Sequence, residues 1–370
     1  MKKFLGIALS VVVIAAVVFG ILINTGDEET TPPDENVTNP TPVTIVDSSG
    51  REVELMAPVD KAIVTYSQLL LIMKAVGVED DSIVGLDEFT LGQYENIFTG
   101  LQGKPTVGSN LFNLDMEKII ELEPQVIIST PSTLSRMPEL ESQLDSLGIK
   151  FIGLDFSWDN VSNVISTLGT VFGQDTRAEQ FDSFWWGVFD DVTSKVSTLT
   201  DEEKLKVYWE NTADGYVTVG QSSANNEMLE MAGAINIAGS FEVSSPTVDP
   251  EWIITQNPDV IFKYPMGATD QGGFGSTDTS NFQAMMAEIM TRPGFGEIQA
   301  VQEGRVYIVS QLIKTGAFQN IAVLYIAKII YPDLFQDLNP EDKLREMVED
   351  YLGLDFEQVK GVFVYPEPWS

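Results

Sequence analysis

The stretch NLDMEKIIELEPQVIIST at residues 113–130 returns as TVDPEWIITQNPDVIFKY at residues 247–264, without a gap and at one constant offset. Asp115 falls on Asp249, Glu117 on Glu251, Ile119-Ile120 on Ile253-Ile254, Pro124 on Pro258, and Val126-Ile127 on Val260-Ile261. An aligned echo of this length suggests two similar structural units in one chain, or at least two similarly built helix–strand joints. In both copies an aspartate stands where it can cap the free amides of a helix, and Pro250 suits the first helical position. A glutamate follows at the second helical position, where the helix dipole favours an anion by about 0.3–1 kcal/mol at an exposed site. Helix initiation alone accounts for either copy. It does not account for a carboxylate at the same point of the same joint in both units. Two matched acidic knobs suit docking onto basic sockets of a two-fold symmetric partner.

The residues around the echo alternate between short apolar runs and helical patterns, the signature of parallel α/β units. A hairpin is expected over VTIVDSSGREVELM, turning at Ser48-Ser49-Gly50. Strands are expected at 62–66, 82–89, 125–129 and 150–155, with a helix over MPELESQLDSLG. Residues 175–199 differ. Phe181, Phe184, Trp185, Val188, Phe189, Val192 and Val196 recur at helical spacing with acids between them, unbroken by proline. Such a helix is about 35 Å long, and its place between the echoed segments makes it a spine joining two lobes; periodicity alone equally allows an amphipathic helix inside one domain. The second series brings strands in KLKVYWEN, GYVTVG, DVIFKY and GRVYIVS, a long Gly-rich loop over 265–281, an apolar helix in AFQNIAVLYIAKIIYP and a final helix in NPEDKLREMVEDYLG. The organisation read from this is an N-terminal segment to residue 26, a Pro/Thr/acid-rich tether at 27–42, an α/β lobe at 43–174, the connecting helix at 175–199, and a second α/β lobe at 200–370.

The chain of 370 residues has no cysteine and no histidine, and its formal net charge is −34. Without cysteine there is no disulfide frame, thiolate nucleophile or thioether-linked lipid anchor. Without histidine the common zinc sites and the easiest general base are gone, which argues against direct zinc or manganese capture and against most hydrolase chemistry. The charge repels phosphate backbones, so no nucleic-acid partner is expected. Lys2 and Lys3 precede an uncharged apolar run to Gly26, followed by Asp27, Glu28 and Glu29. About 20 apolar residues span a bilayer as a helix, and positive residues before them with acids after place the rest of the chain outside the cell. A cleavable signal peptide is the rival reading. Asn36 and Asn160 open N-x-S/T tripeptides.

Several phrases together resemble one family. VTIVDSSGREVEL is similar to its opening; NLDMEKIIELEPQVII to its first-lobe joint; GQSSANNEMLEMAGAINIA, VDPEWIITQNPDVIF and LYIAKIIYPDLF to later landmarks in the same order. The family is the extracytoplasmic substrate-binding proteins of iron-siderophore and vitamin B12 ABC importers. The resemblance spans residues 43–370. It implies two Rossmann-like α/β lobes joined by one long helix, a class III periplasmic-binding-protein-like fold with the ligand in the cleft between lobes, and capture without catalysis or cofactor. It implies that Glu117 and Glu251 pair with arginines on the two subunits of an ABC permease, coupled to its ATPase. The cargo it implies is a metal chelate: a ferric siderophore, haem or a corrinoid. Free oxyanion binding through backbone amides is a further reading.

In open α/β folds ligands meet the loops at the carboxyl ends of strands. That rule nominates Tyr66, Phe89, Tyr94 and Phe112 on the first lobe and Trp209, Tyr216, Tyr264 and Met266 on the second; Arg136 and Lys314 are the basic cleft candidates. Residues at strand ends also serve as ordinary core. Two other classes stay open: a chelatase-like or carboxylate-dependent enzyme on a related two-lobed fold, needing an acid pair inside the cleft, and an anchored sensor without a transporter.

Overall fold

The described part of the chain begins with a hairpin. In this computed structural model the residues described are 39–94, 97–211, 215–265, 272–314 and 316–369, and Pro40 onward forms one unit. Strands β1 (Thr41–Val46) and β2 (Glu52–Ala57) pair antiparallel. The Asp47 carboxylate makes the turn, accepting from the backbone N–H groups of Ser49 (2.9 Å) and Arg51 (3.1 Å), while Gly50 supplies the left-handed conformation at φ 76°.

The first lobe contains β3 (Ala62–Val64), β4 (Ile83–Leu86), β5 (Gly108–Asn110), β6 (Asn113–Leu114), β7 (Val126–Ser129) and β8 (Lys150–Gly153). Its main sheet is parallel, in the order β4-β3-β7-β8, with β5 and β6 forming a small separate ladder. The second contains β9 (Lys206–Glu210), β10 (Ile235–Asn236), β11 (Val260–Lys263), β12 (Val306–Val309) and β13 (Val364–Tyr365). Its order is β10-β9-β11-β12-β13, parallel except for the edge strand β13. Counted within each lobe, the first four strands of both sheets run 2-1-3-4. The strand order of each sheet therefore reverses between its first and third strands, β3/β7 in one and β9/β11 in the other, the kind of point where α/β sheets open a crevice.

The echoed phrase sits at the same place in both sheets. Helices Met116–Leu122 and Pro250–Gln256 lead into β7 and β11. Asp115 caps the first by accepting from Glu117 N at 3.0 Å, and Asp249 caps the second from Glu251 N at 2.8 Å. Both helices end on a left-handed non-glycine residue, Glu123 and Asn257, each at φ 48°. Ile119 and Ile253 are fully buried beneath them.

The 22-residue helix Asp175–Val196 lies between the sheets in sequence and buries Ala178, Phe181, Phe184, Trp185, Val188, Val192 and Val196. It packs on helix Val161–Phe172 on the first-lobe side and helix Gln319–Ile330 on the second-lobe side. Close approach to the former needs Gly169, where a Cβ would stand 2.5 Å from Ala178 Cβ. Asn320, buried within the latter, donates its amide to the Trp185 carbonyl at 3.0 Å.

Three expectations need correction. The strand expected at 82–89 stops at Leu86; Asp87 then accepts from Thr90 N at 3.0 Å, and a helix runs from Glu88 to Tyr94. GYVTVG forms only isolated bridges at Val217 and Thr218, because Tyr216 is left-handed at φ 69° and breaks the extended run. The final helix is α only over Pro340–Glu346 and widens to a π turn over Met347–Tyr351, which lays the Tyr351 ring on Phe184 at 4.7 Å. No helix among the described residues is long and apolar enough to cross a membrane. The expected anchor, the tether up to residue 38 and the Asn36 tripeptide lie outside the described residues.

Candidate functional site

The carboxyl ends of the two sheets carry most of the buried polar side chains. In the first lobe Thr65, just past β3, donates its hydroxyl to Ser129 at the end of β7, at 2.8 Å. In the second, the corresponding ends of β9 and β11 hold Glu210 and Lys263, directly opposite each other in register. They form an ion pair, and Glu210 is completely buried. Arg292, nearly buried, also grips Glu210, with its Nη2 2.8 Å from Oε1, and reaches Glu288 through Nε at 2.8 Å. Burial alone would raise the Glu210 pKa, but the adjoining guanidinium and ammonium hold it below the ordinary carboxylate range. The guanidinium also lies over the rings of Tyr216 (4.9 Å) and Phe295 (5.4 Å). One arginine thus ties the end of β9 to the left-handed Tyr216 on the loop that follows.

Tyr66 follows β3 directly and precedes helix Ser67–Ala75. It is half-buried, and burial, then the Asp155 carboxylate, pushes its hydroxyl pKa up. Asp155 lies just beyond β8 on the same edge of the sheet. Farther along that loop Asp159 faces Glu227 of helix Ala224–Met231; burial, then Asp159 and Glu230, raise the Glu227 pKa. That pair sets two like charges against each other across the lobes. A second approach lies at Gly316, left-handed at φ 56°, where a Cβ would stand 3.0 Å from Gln68 Cβ. Two residues before it, the Lys314 ammonium sits 3.7 Å above the Tyr264 ring and 3.3 Å from Asn225 Oδ1.

The cleft candidates therefore separate. Tyr66, Tyr264 and Lys314 sit on the facing loops, Tyr264 with little of its ring exposed. Tyr216 is half-buried against Arg292. Phe112 takes the Arg136 guanidinium over its face at 4.0 Å. Phe89 is exposed, but on a helix rather than at a strand end. Tyr94 and Trp209 are corrections: at 1% and 0% exposure both are core, Tyr94 packed on Phe98 and Trp209 on Phe262. Met266 lies outside the described residues. Glu117 and Glu251 are both exposed, each in the first turn of its helix. The sequence reading missed Glu210, Arg292, Asp155, Asp159 and Glu227. Glu210 and Asp155 had a signal, an acid ending an expected apolar strand; the other three had none.

No group of three or more acidic side chains placed to hold a metal ion occurs among the described residues. The long loop after β11 is pinned in its later part: Gly273 N donates to Val362 O at 2.7 Å, Gly275 N to Val359 O at 2.8 Å, and Phe274 stands edge-on to Phe363.

The model of the family described as "Periplasmic binding protein" matches residues 62–312. A Bacillus subtilis protein described as an uncharacterized ABC transporter substrate-binding lipoprotein, YvrC, is 27% identical over 342 residues, covering 91% of this chain and all of that one. The molybdate-binding protein MolA of Haemophilus influenzae is 20% identical, covering 83% of this chain and 89% of its own. Among solved structures, a TroA-like periplasmic binding protein, FepB, from Veillonella parvula superposes with a TM-score of 0.76 at 23% identity, covering 87% of this chain and 99% of that one.

Proposed function

Since the chain belongs to the periplasmic binding protein family, we propose that it is the capture component of an ABC importer, binding a small molecule between its lobes and delivering it to a permease dimer. The observation that carries this reading is the duplicated joint. Glu117 and Glu251 stand exposed at matched helix starts of two sheets with the same strand order, the arrangement a two-fold symmetric permease would engage at both subunits. No bond is made or broken in this role; the ATPase bound to the permease supplies the work. The N-terminal apolar segment keeps the capture unit at the outer face of the cell membrane. An enzyme reading would need an acid pair within the cleft. The nearest such pair, Asp159 and Glu227, comes without a histidine.

The cleft also bears on the cargo. Asp155, Asp159 and Glu227 contribute negative charge there, and Lys314 is already engaged by Tyr264 and Asn225. A multiply anionic catecholate or citrate chelate would meet repulsion without an arginine cluster to answer it. A neutral ferric hydroxamate or a corrinoid fits better, with the half-buried Tyr66 ring on the facing loops to pack against it. Substitution of both Glu117 and Glu251 by Ala is expected to abolish uptake while leaving ligand affinity unchanged. Fluorescence titration with ferric hydroxamate, ferric catecholate, haem, cobalamin and molybdate identifies the cargo. Loss of affinity in the double variant would overturn the docking role, and tight binding of the catecholate would overturn the charge argument.

A further inference from the structure

Beyond the cleft, the end of the chain builds a second concavity. Strand β13 pairs antiparallel with β12, Val364 opposite Val309 and Tyr365 opposite Ile308. The chain thus runs back from the carboxyl end of β12 towards its amino end, away from the facing loops, and Pro368 and Trp369 come to lie beside Arg305 and Tyr307. Between this returning segment and the helices Gln319–Ile330, Pro340–Glu346 and Phe356–Val359 lies a cavity of about 450 Å³. Its size is within the range of small-molecule sites. Apart from Thr279, all its lining residues follow residue 312, the end of the segment matched by the family.

The walls are aromatic and the fixed charge is mostly negative. Tyr325, Phe356, Tyr365 and Trp369 line the space together with Glu341 and Glu367. The rings of Tyr325 and Trp369 are 5.3 Å apart at 37°. Both carboxylates are close enough to the Tyr325 hydroxyl to add to the pKa rise that its burial causes. The one lysine in the lining, Lys360, is paired with Glu357 at 2.6 Å. Trp369 already serves as a cation acceptor: the Lys328 ammonium stands 5.4 Å from its ring centre. Ring faces attract diffuse, weakly hydrated cations, and nearby carboxylates strengthen that attraction. A compact metal ion needs converging oxygens instead, and none are grouped for one among the described residues.

We propose that this cavity binds an organic cation of the quaternary or alkylated ammonium class, lodged in the space that Tyr325, Tyr365 and Trp369 line, with the Glu341 and Glu367 carboxylates beside it. The site is independent of the cleft and of its cargo. Calorimetric titration of the purified full-length chain with choline, and with its neutral isostere 3,3-dimethylbutan-1-ol, tests it. Choline is expected to bind at one site, about tenfold more tightly than the isostere. Trp369→Leu should weaken choline binding severalfold, and so should Glu341→Gln, a conservative change in a partly exposed helical turn that keeps the fold. Lys314→Gln in the cleft should leave it unchanged. Equal affinity for choline and the isostere would show an apolar hole instead of a cation site. Absence of saturable choline binding, or binding indifferent to both Trp369→Leu and Glu341→Gln, would overturn the proposal outright.

Discussion

Replacing Arg292 by Met is the most demanding test of how the second lobe is held. Glu210 has no exposed surface, and Arg292 meets both of its carboxylate oxygens. Removing one partner of a buried ion pair costs about 3–5 kcal/mol, because the remaining charge keeps its desolvation penalty without its compensation. Lys263 stays bonded to Glu210, so the lower end applies and the loss is about 3 kcal/mol. The Arg292–Glu288 contact adds little, since the Glu288 side chain is 55% exposed and exposed pairs are worth about 0–1 kcal/mol. Urea unfolding at pH 7.5 measures the difference. Being buried, the network is poorly screened, so the loss should persist in concentrated salt. The sign with pH follows from the depressed Glu210 pKa: its stabilisation is present above the ordinary carboxylate pKa and is lost as pH falls through the lower folded value. The gap between wild type and Arg292→Met should therefore narrow in acid. Arg292 also supports Tyr216 by stacking, so the variant should weaken ligand binding more than its distance from the facing loops suggests. A loss below about 1 kcal/mol, or one that vanishes in salt, would refute the reasoning, for it would put the pair in the class of exposed contacts.

Asp115→Ala and Asp249→Ala remove equivalent caps and should each cost about 1 kcal/mol, additively in the double variant because the two caps share no hydrogen-bond partner; unequal losses in urea unfolding would show that the two joints are not equivalent. Burial raises the Asp87 pKa, so its contribution is best at low pH and diminishes as pH rises through the folded value. Asp87→Asn should accordingly gain on wild type between pH 4.5 and pH 7.5, and a constant difference would count against it. Gly316→Ala places a side chain in a left-handed conformation and presses on Gln68, costing about 1–2 kcal/mol; an unchanged denaturation midpoint would mean that the two lobes do not touch there.

The echo was legible because it is written in local signals. An aspartate cap, a glutamate in the first turn, an isoleucine facing inward and a valine-isoleucine strand are each read from neighbours within four residues. The strand-end nominations separated because β9 and β11 are buried on both faces, so the sequence has no alternation to tell inward from outward. Trp209 therefore resembled a ligand contact and is core. Glu210 and Arg292 are 82 residues apart, and nothing local announces that an arginine beyond the Gly-rich loop closes on the end of β9. Asp159 and Glu227 face each other across lobes, a relation only the tertiary fold creates.

What the two lobes repeat, and what they do not, separates two tasks. The repeated parts are the strand order, the aspartate caps, the left-handed caps at Glu123 and Asn257 and the exposed glutamates. Each lies at the joint that leads into the third strand. At the opposite ends of those strands the offset that carries Glu117 onto Glu251 carries Ser129 onto Lys263, and there the likeness ends. A neutral Thr65–Ser129 hydroxyl pair occupies one lobe and a buried Glu210–Lys263 ion pair the other. A symmetric partner asks both lobes for the same contact, whereas an asymmetric small molecule lying between them asks each for a different one. Duplication at the joints and divergence at the strand ends are what the proposed carrier would need to serve both at once.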